Sequence, residues 1–346
     1  MSTKPLTYAD AGVNLKSWNK TKERIGSLVK STFNSNAVGI FGQFGGLFDI
    51  SMLKDYDTPI LVSSVDGVGT KLLIAHKINK HDSVGEDIVN HCVNDILVMG
   101  AKPLYFLDYI GVGSLFPELV EQIMKGLASA CKKTGIVLIG GETAEMPDLY
   151  KNGEYDLTGT IVGIVDKSEI IDGSDILPGD IIIGLRSNGL HTNGYSLARR
   201  IITGISKKNY SDIFEESGNT FGEELLKPHR AYIGLFPFFQ KKIIKGATHI
   251  TGGGFQENID RILPDKCSAV IETKAWKPDP VFAFLQKNGG VENDEMYRTF
   301  NMGVGMTLIL REKDAQEIIE SETLVEYNPV AIGRIVDGNG QVVMEY

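Results

Sequence analysis

The sequence predicts a mixed α/β (α+β) fold in two domains, and three features predict it. At 346 residues with 42% hydrophobic side chains, the chain is long enough to bury two cores. From Pro59 onward strand-like and helical segments alternate, which is the order of α and β layers rather than of a helical bundle. Near mid-chain the polar stretch DKSEIIDGSDILPGD (166–180) interrupts the alternation with Gly and Pro, and the alternation then restarts. The expected division is residues 1–170 and residues 171–346.

Taken in order, the first 55 or so residues show little apolar periodicity and carry GIFGQFGGLFDI (39–50), where four glycines are interleaved with Phe41, Phe44 and Phe48. That composition reads as a mobile, lid-like loop with aromatic anchors. A strand is expected from Pro59 to Val65, a helix over 83–99, a strand over 104–110 and a helix over 117–133. Strands over 137–139 and 157–165 complete the first half. The second half reads as a strand over 181–185, helices over 195–203 and 230–244, a helix after TGGGF, and a strand over 304–310.

Charge and composition narrow the function. A net charge of −9 argues against a nucleic-acid backbone binder, which concentrates Lys and Arg. An anionic substrate would then be met locally, by metal ions and loop amides. No run approaches a membrane span and the N-terminus lacks the apolar core of a signal peptide, so a cytoplasmic protein is expected. Cys92, Cys131 and Cys267 are far apart without metal-type spacing, as expected of reduced, buried thiols.

The stretch VSSVDGVGTKL (62–72) follows an apolar run but matches neither a Walker A loop nor a dinucleotide fingerprint. An acid at a strand end, glycines exposing N–H groups and a nearby lysine suit a metal-bridged polyphosphate; a glycine turn with a solvated Asp66 and Lys71 uses the same residues. On the helix 83–99, Asp87, His91 and Asp95 share one stripe, and Asp95 sits between apolar neighbours, where a carboxylate must be paired or bind a cation. A third acid, Glu142, follows Gly140 and Gly141 after another apolar run, so three acids from three elements can converge on Mg²⁺. In the second half SNGLHTNGYSL and HITGGGFQEN place Gly-punctuated turns before helices. These are either anion sites for a phosphate monoester or ordinary capping turns.

YADAGV, DGVGTKL, CVNDILVMGAKPLYFLDY, GGETAEMP, SNGLHTNGYSL, HITGGGFQENIDRILP and EMYRTFNMGVGM, in this order from Tyr8 to Met306, resemble the successive motifs of the phosphoribosylformylglycinamidine cyclo-ligase family. A wider superfamily that includes thiamine-monophosphate kinase and a hydrogenase maturation protein shares the N-terminal acids, but the last two motifs resemble the cyclo-ligases most closely. The sequence departs at Leu190, where proline is common, and at Met302, where cysteine is frequent, which argues against a required thiol there.

The resemblance implies ATP-dependent ring closure of formylglycinamidine ribonucleotide, with ATP and Mg²⁺ as cofactors. It also implies a homodimer whose N-terminal domains build a shared β-barrel. It assigns metal ligation to Asp66, Asp95 and Glu142. Nucleotide contact falls to Gly42, Gly45, Gly46, Gly67, Gly69, Thr70, Lys71, Asn94, Gly140 and Gly141. Ser187, Asn188, His191, Thr192, Gly252, Gly253 and Gly254 would hold the ribonucleotide, and His191, Lys71 and Asn193 would act in the chemistry. Lys71 is expected as the phosphate cation or as the partner of an acid, and the role of Arg298 is open.

Overall fold

The computed structural model describes residues 15–346; the YADAGV motif lies outside the described residues. Helix α1 (Leu15–Lys30) leads into a short hairpin of β1 (Ala37–Val38) and β2 (Leu47–Phe48), whose connection is the glycine-rich stretch. Phe48 packs on Tyr105 with ring centroids 5.2 Å apart and Phe41 rests on the core, whereas Phe44 is fully exposed. Two of the three expected aromatic anchors therefore hold the loop down.

The first large sheet contains β3 (Pro59–Gly67), β4 (Lys102–Val112), β5 (Val137–Glu145) and β6 (Tyr155–Asp166), in the order β3-β6-β4-β5. Only the β4/β5 pair is parallel. With α1, helices α2 (Leu72–Ile78), α3 (Asp82–Leu97) and α4 (Pro117–Thr134) are the α-helices described in this half, and α3 lies on the sheet's inner face. α3 and α4 approach closely because glycines meet backbone: a Cβ on Gly85 would lie 2.2 Å from the Ile123 carbonyl oxygen, and one on Gly126 1.8 Å from that of Asp82. Among the described residues no helix packs on the other face of the sheet, and Leu61 and Val65 of β3 are each 64% exposed on it.

The second half is built on a six-stranded sheet. Its strands are β7 (Ile181–Arg186), then, after a small hairpin of β8 (Ile213–Phe214) and β9 (Asn219–Thr220), β10 (Gly246–His249), β11 (Cys267–Glu272), β12 (Val304–Leu310), β13 (Val330–Asp337) and β14 (Val342–Glu345). The order is β10-β12-β7-β13-β11-β14, antiparallel except for β11/β14. All three cysteines are free and buried. Among the described residues no helix is long and apolar enough to cross a membrane.

Two elements differ from the sequence reading. The expected helix over 230–244 shrinks to a 3₁₀ turn at Ile233–Leu235 and one helical turn at Phe236–Gln240. Pro237 falls inside the run and Pro228 just ahead of it, and the backbone between them spends hydrogen bonds on α3 side chains instead of on itself. The strands bearing Asp66 and Glu142 run on through the glycines, to Gly67 and Glu145, so neither acid sits in a turn.

Candidate active site

Strand alternation decides where the acids point. On β3, Leu61 and Val65 face the open side, so Ser64 and Asp66 face α3. α3 presents its polar stripe to them. The His91 Nε2 lies 2.8 Å from Asp66 Oδ2 and 3.6 Å from Asp95 Oδ2. Ser64 Oγ donates to Asp95 Oδ2 at 3.0 Å, and His249 Nδ1, at the end of β10, lies 2.8 Å from Asp95 Oδ1. Burial alone would raise both carboxylates, but His91 at Asp66 and His249 at Asp95 bring each below its ordinary range. Burial opposes the charged His91, yet Asp66 and Asp95 together lift its pKa. The Asp66 side chain is 44% exposed, so this carboxylate pair opens to solvent.

At the far edge of the same sheet is a cavity of about 450 Å³. Trp18, Ile25 and Val29 of α1, with Phe33 just beyond its end, form one wall, and the glycine-rich stretch, including Gly42, Gly45 and Gly46, covers it. Gly140, Gly141, Glu142 and Asp108 form its floor. Two clefts indent the C-terminal half. Asn193, Gly252, Gly253 and Arg298 line one, with Arg298 bonded to Glu257 at 3.1 Å; Ser187, Asn188 and Arg230 line the other. Gly253 and Gly254 both have positive φ, and a Cβ on Gly254 would strike the Tyr297 carbonyl oxygen at 1.8 Å, which explains the glycine run.

The AIR synthase related protein N-terminal domain matches residues 50–165, and the corresponding C-terminal domain matches residues 178–345. Over 340 residues the chain is 47% identical to the phosphoribosylformylglycinamidine cyclo-ligase of Alkaliphilus oremlandii, covering 98% of this chain and 99% of the relative. It is 48% identical to that of Syntrophotalea carbinolica over 336 residues, 96% of this chain and 95% of the relative. The chain belongs to the phosphoribosylformylglycinamidine cyclo-ligase family. Solved structures share its fold at low identity: thiamine-monophosphate kinase from Stenotrophomonas maltophilia has a TM-score of 0.65 at 15% identity, covering 94% of this chain and 96% of that one. Hydrogenase maturation protein HypE in complex with ATP has 0.61 at 16%, covering 94% and 91%.

The site residues expected of a cyclo-ligase fall into separate groups in this chain. Asp66 and Asp95 come together, but Glu142 does not join them. In register, Asp66 aligns with Gly159, Asp108 and Gly141, while Glu142 aligns with Tyr109, Thr158 and Gly67. Adjacent registers point to opposite faces, and three inter-strand steps of about 4.8 Å separate the two acids by roughly 14 Å. Period-two alternation, invisible when each acid is read alone, overrides the expected convergence.

Lys71 is not a free phosphate cation. It is fully buried, 2.8 Å from Asp87, and donates to the carbonyl oxygens of His191 at 3.0 Å and Lys227 at 2.7 Å. Burial pulls the lysine down and the aspartate up in pKa, and their contact opposes both shifts. Asn94 is likewise committed: its Nδ2 donates to Arg230 O at 2.8 Å and its Oδ1 accepts from Tyr232 N at 3.0 Å. Gly67, Gly69 and Thr70 lie beside the carboxylate pair rather than the cavity, with Thr70 Oγ1 3.1 Å from Ser196 Oγ.

Residues expected to hold the ribonucleotide split as well. Ser187 Oγ donates to Gly189 O, and Asn188 Nδ2 to Pro228 O. His191, with φ of 61°, turns its ring inward, where Nε2 accepts from Asn188 N at 3.0 Å and the ring stacks on His229 at 3.9 Å. Its Nδ1 has no partner among the described residues, and burial pushes its pKa well down. The Thr192 hydroxyl lies between His91 and His229, at 2.9 and 3.3 Å. Asn193 keeps a buried Nδ2 without a partner among the described residues at the glycine cleft.

Sequence reading passed over Asp108, although an acid inside the apolar run PLYFLDY was the available signal. Only 8% exposed on the cavity floor, it is lifted by burial, with the Glu142 charge adding, to about 7. A carboxyl whose folded pKa exceeds its unfolded value costs stability as pH rises between the two, here from about 4 to about 7. Asp108→Asn should therefore flatten the fall in thermal midpoint between pH 5 and pH 8. An unchanged slope would place the ionised carboxylate in a solvated or paired setting.

Proposed function

We propose that the chain closes an imidazole ring by phosphorylating the formyl-amide oxygen of formylglycinamidine ribonucleotide with ATP. The amide oxygen attacks the γ-phosphorus and ADP leaves; the amidine nitrogen then attacks the activated carbon, loses its proton, and phosphate departs. An amide oxygen is a poor leaving group and a phosphate ester is a good one, so no covalent enzyme nucleophile is needed. The single observation that carries this reading is the family match over the whole chain, and the paired carboxylates give it a chemical centre.

Two carboxylates with ligand oxygens within 4.8 Å, one of them open to solvent, suit a hard divalent cation, so Asp66 and Asp95 are the residues that would hold Mg²⁺. Such an ion supplies charge neutralisation at the transferring phosphoryl group. The glycine-rich stretch, Gly140 and Gly141 would hold the nucleotide in the cavity, the loop amides meeting phosphate and the aromatic wall meeting the base. Asn193 with Gly252, Gly253 and Gly254 would take the ribonucleotide phosphate. The chain's division near residue 170 puts these two ligands in different domains.

A homodimer is part of this reading. Cavity and carboxylate pair lie at opposite edges of one sheet, too far apart for in-line transfer within one copy. A second copy covering the open face, where Leu61 and Val65 are exposed and Glu142 stands, would close the barrel and complete the site. Val65→Arg should convert the dimer to a monomer in sedimentation and abolish activity; an unaltered dimer would move the interface elsewhere. We place the protein in the cytoplasm with a small-molecule substrate, apart from nucleic acid and membrane.

The test is incubation with ATP, Mg²⁺ and formylglycinamidine ribonucleotide, followed by colorimetric detection of the aminoimidazole and measurement of ADP. Equal amounts of amine and ADP are expected. A phosphorylated product without imidazole would instead indicate a small-molecule kinase.

A further inference from the structure

Four of the chain's six histidines meet in one buried cluster between the two halves of the chain. His91 comes from α3, His249 from the end of β10, and His191 and His229 from the loops that pack on α3. Clustered core histidines ordinarily satisfy one another through hydrogen bonds, and that account covers His191, whose Nε2 faces two backbone N–H groups. In the other three every ring nitrogen also meets a partner, and these nitrogens converge so closely that an ion would take the place of the bond between His229 and His249.

We propose that His91, His229 and His249 form a binding site for a first-row transition-metal ion that bridges the two domains. One ring nitrogen from each lies within 4.8 Å of those of the other two, and all three residues are buried. The Nε2 atoms of His229 and His249 share a hydrogen bond at 2.9 Å, and an ion bound there would displace its proton. The opposite nitrogen of each ring meets an oxygen: His249 Nδ1 lies 2.8 Å from Asp95 Oδ1, and His229 Nδ1 lies 3.3 Å from Thr192 Oγ1. That outer hydrogen bond is what fixes the tautomer and orientation of a metal-bound imidazole, leaving the Nε2 lone pair directed inward.

A metal ion binds the neutral imidazole, so each ligating nitrogen gives up its proton on binding. Imidazole-rich sites select ions such as Zn²⁺ or Co²⁺ over Mg²⁺, whereas the all-oxygen Asp66/Asp95 pair has the opposite preference. With one ligand on α3 and two in the C-terminal half, binding selects the folded, docked arrangement and stabilises it by mass action.

Cobalt(II) is the probe, because its visible spectrum reports its ligands. Metal-free protein held at saturating Mg²⁺, which keeps the oxygen site filled, is titrated with Co²⁺ while absorption and thermal midpoint are followed. One equivalent should produce the intense visible band of a nitrogen-ligated, low-coordinate ion and raise the midpoint, and Zn²⁺ should displace it. His229→Gln should weaken Co²⁺ binding at least about a hundredfold. A weak six-coordinate spectrum in the unaltered protein overturns the site whether or not the variant folds. A variant that keeps both band and affinity overturns it too.

Discussion

Asp95→Asn should lower turnover by more than about a hundredfold while leaving the protein folded. Losing an outer-shell partner of a metal site costs ten- to a hundredfold by itself, so losing the charge of a ligand should cost more. The amide keeps the volume and an acceptor oxygen, so the bond from His249 Nδ1 at 2.8 Å or the bond from Ser64 Oγ at 3.0 Å survives. Thermal midpoint and turnover are to be measured together, with Mg²⁺ raised until turnover saturates. Near wild-type turnover at saturating Mg²⁺ would remove Asp95 from the metal site.

Lys71→Met should have its large effect on stability. The ammonium is fully buried against Asp87 at 2.8 Å and against two carbonyl oxygens, and its removal leaves a buried carboxylate uncompensated. Breaking a buried pair in this way costs about 3–5 kcal/mol. For a chain of this size that lowers the thermal midpoint by on the order of 10 °C. Adding Asp87→Leu should recover part of the loss, because an apolar pair carries no stranded charge. If Lys71 instead met phosphate, the single variant would keep its midpoint and lose ATP affinity.

Between them the two predictions mark what could be read along the chain. Apolar runs and glycine punctuation are local properties, so the strands from Pro59 and Val137, the α3 and α4 helices and the Gly253–Gly254 turn were legible from residue order. So was the nearness of His91 to Asp95, since helical spacing of four residues places both on one stripe. The helix expected over 230–244 was not legible, because its backbone bonds to Asn90 and Asn94 across 136–139 residues of chain. No periodicity carries that information.

The sequence by itself determined the family and the two-part α/β construction and offered the candidate acids, because these depend on residue identity and short spacing. Tertiary structure alone decided which of those residues share a site. Register and strand alternation sent Asp66 and Glu142 to opposite faces of one sheet, burial turned Lys71 from a candidate phosphate cation into an internal ion pair, and long-range packing drew His91, His229 and His249 together. Each of these outcomes depends on side-chain direction and on contacts between residues far apart in the chain, and neither is encoded in any short stretch of it.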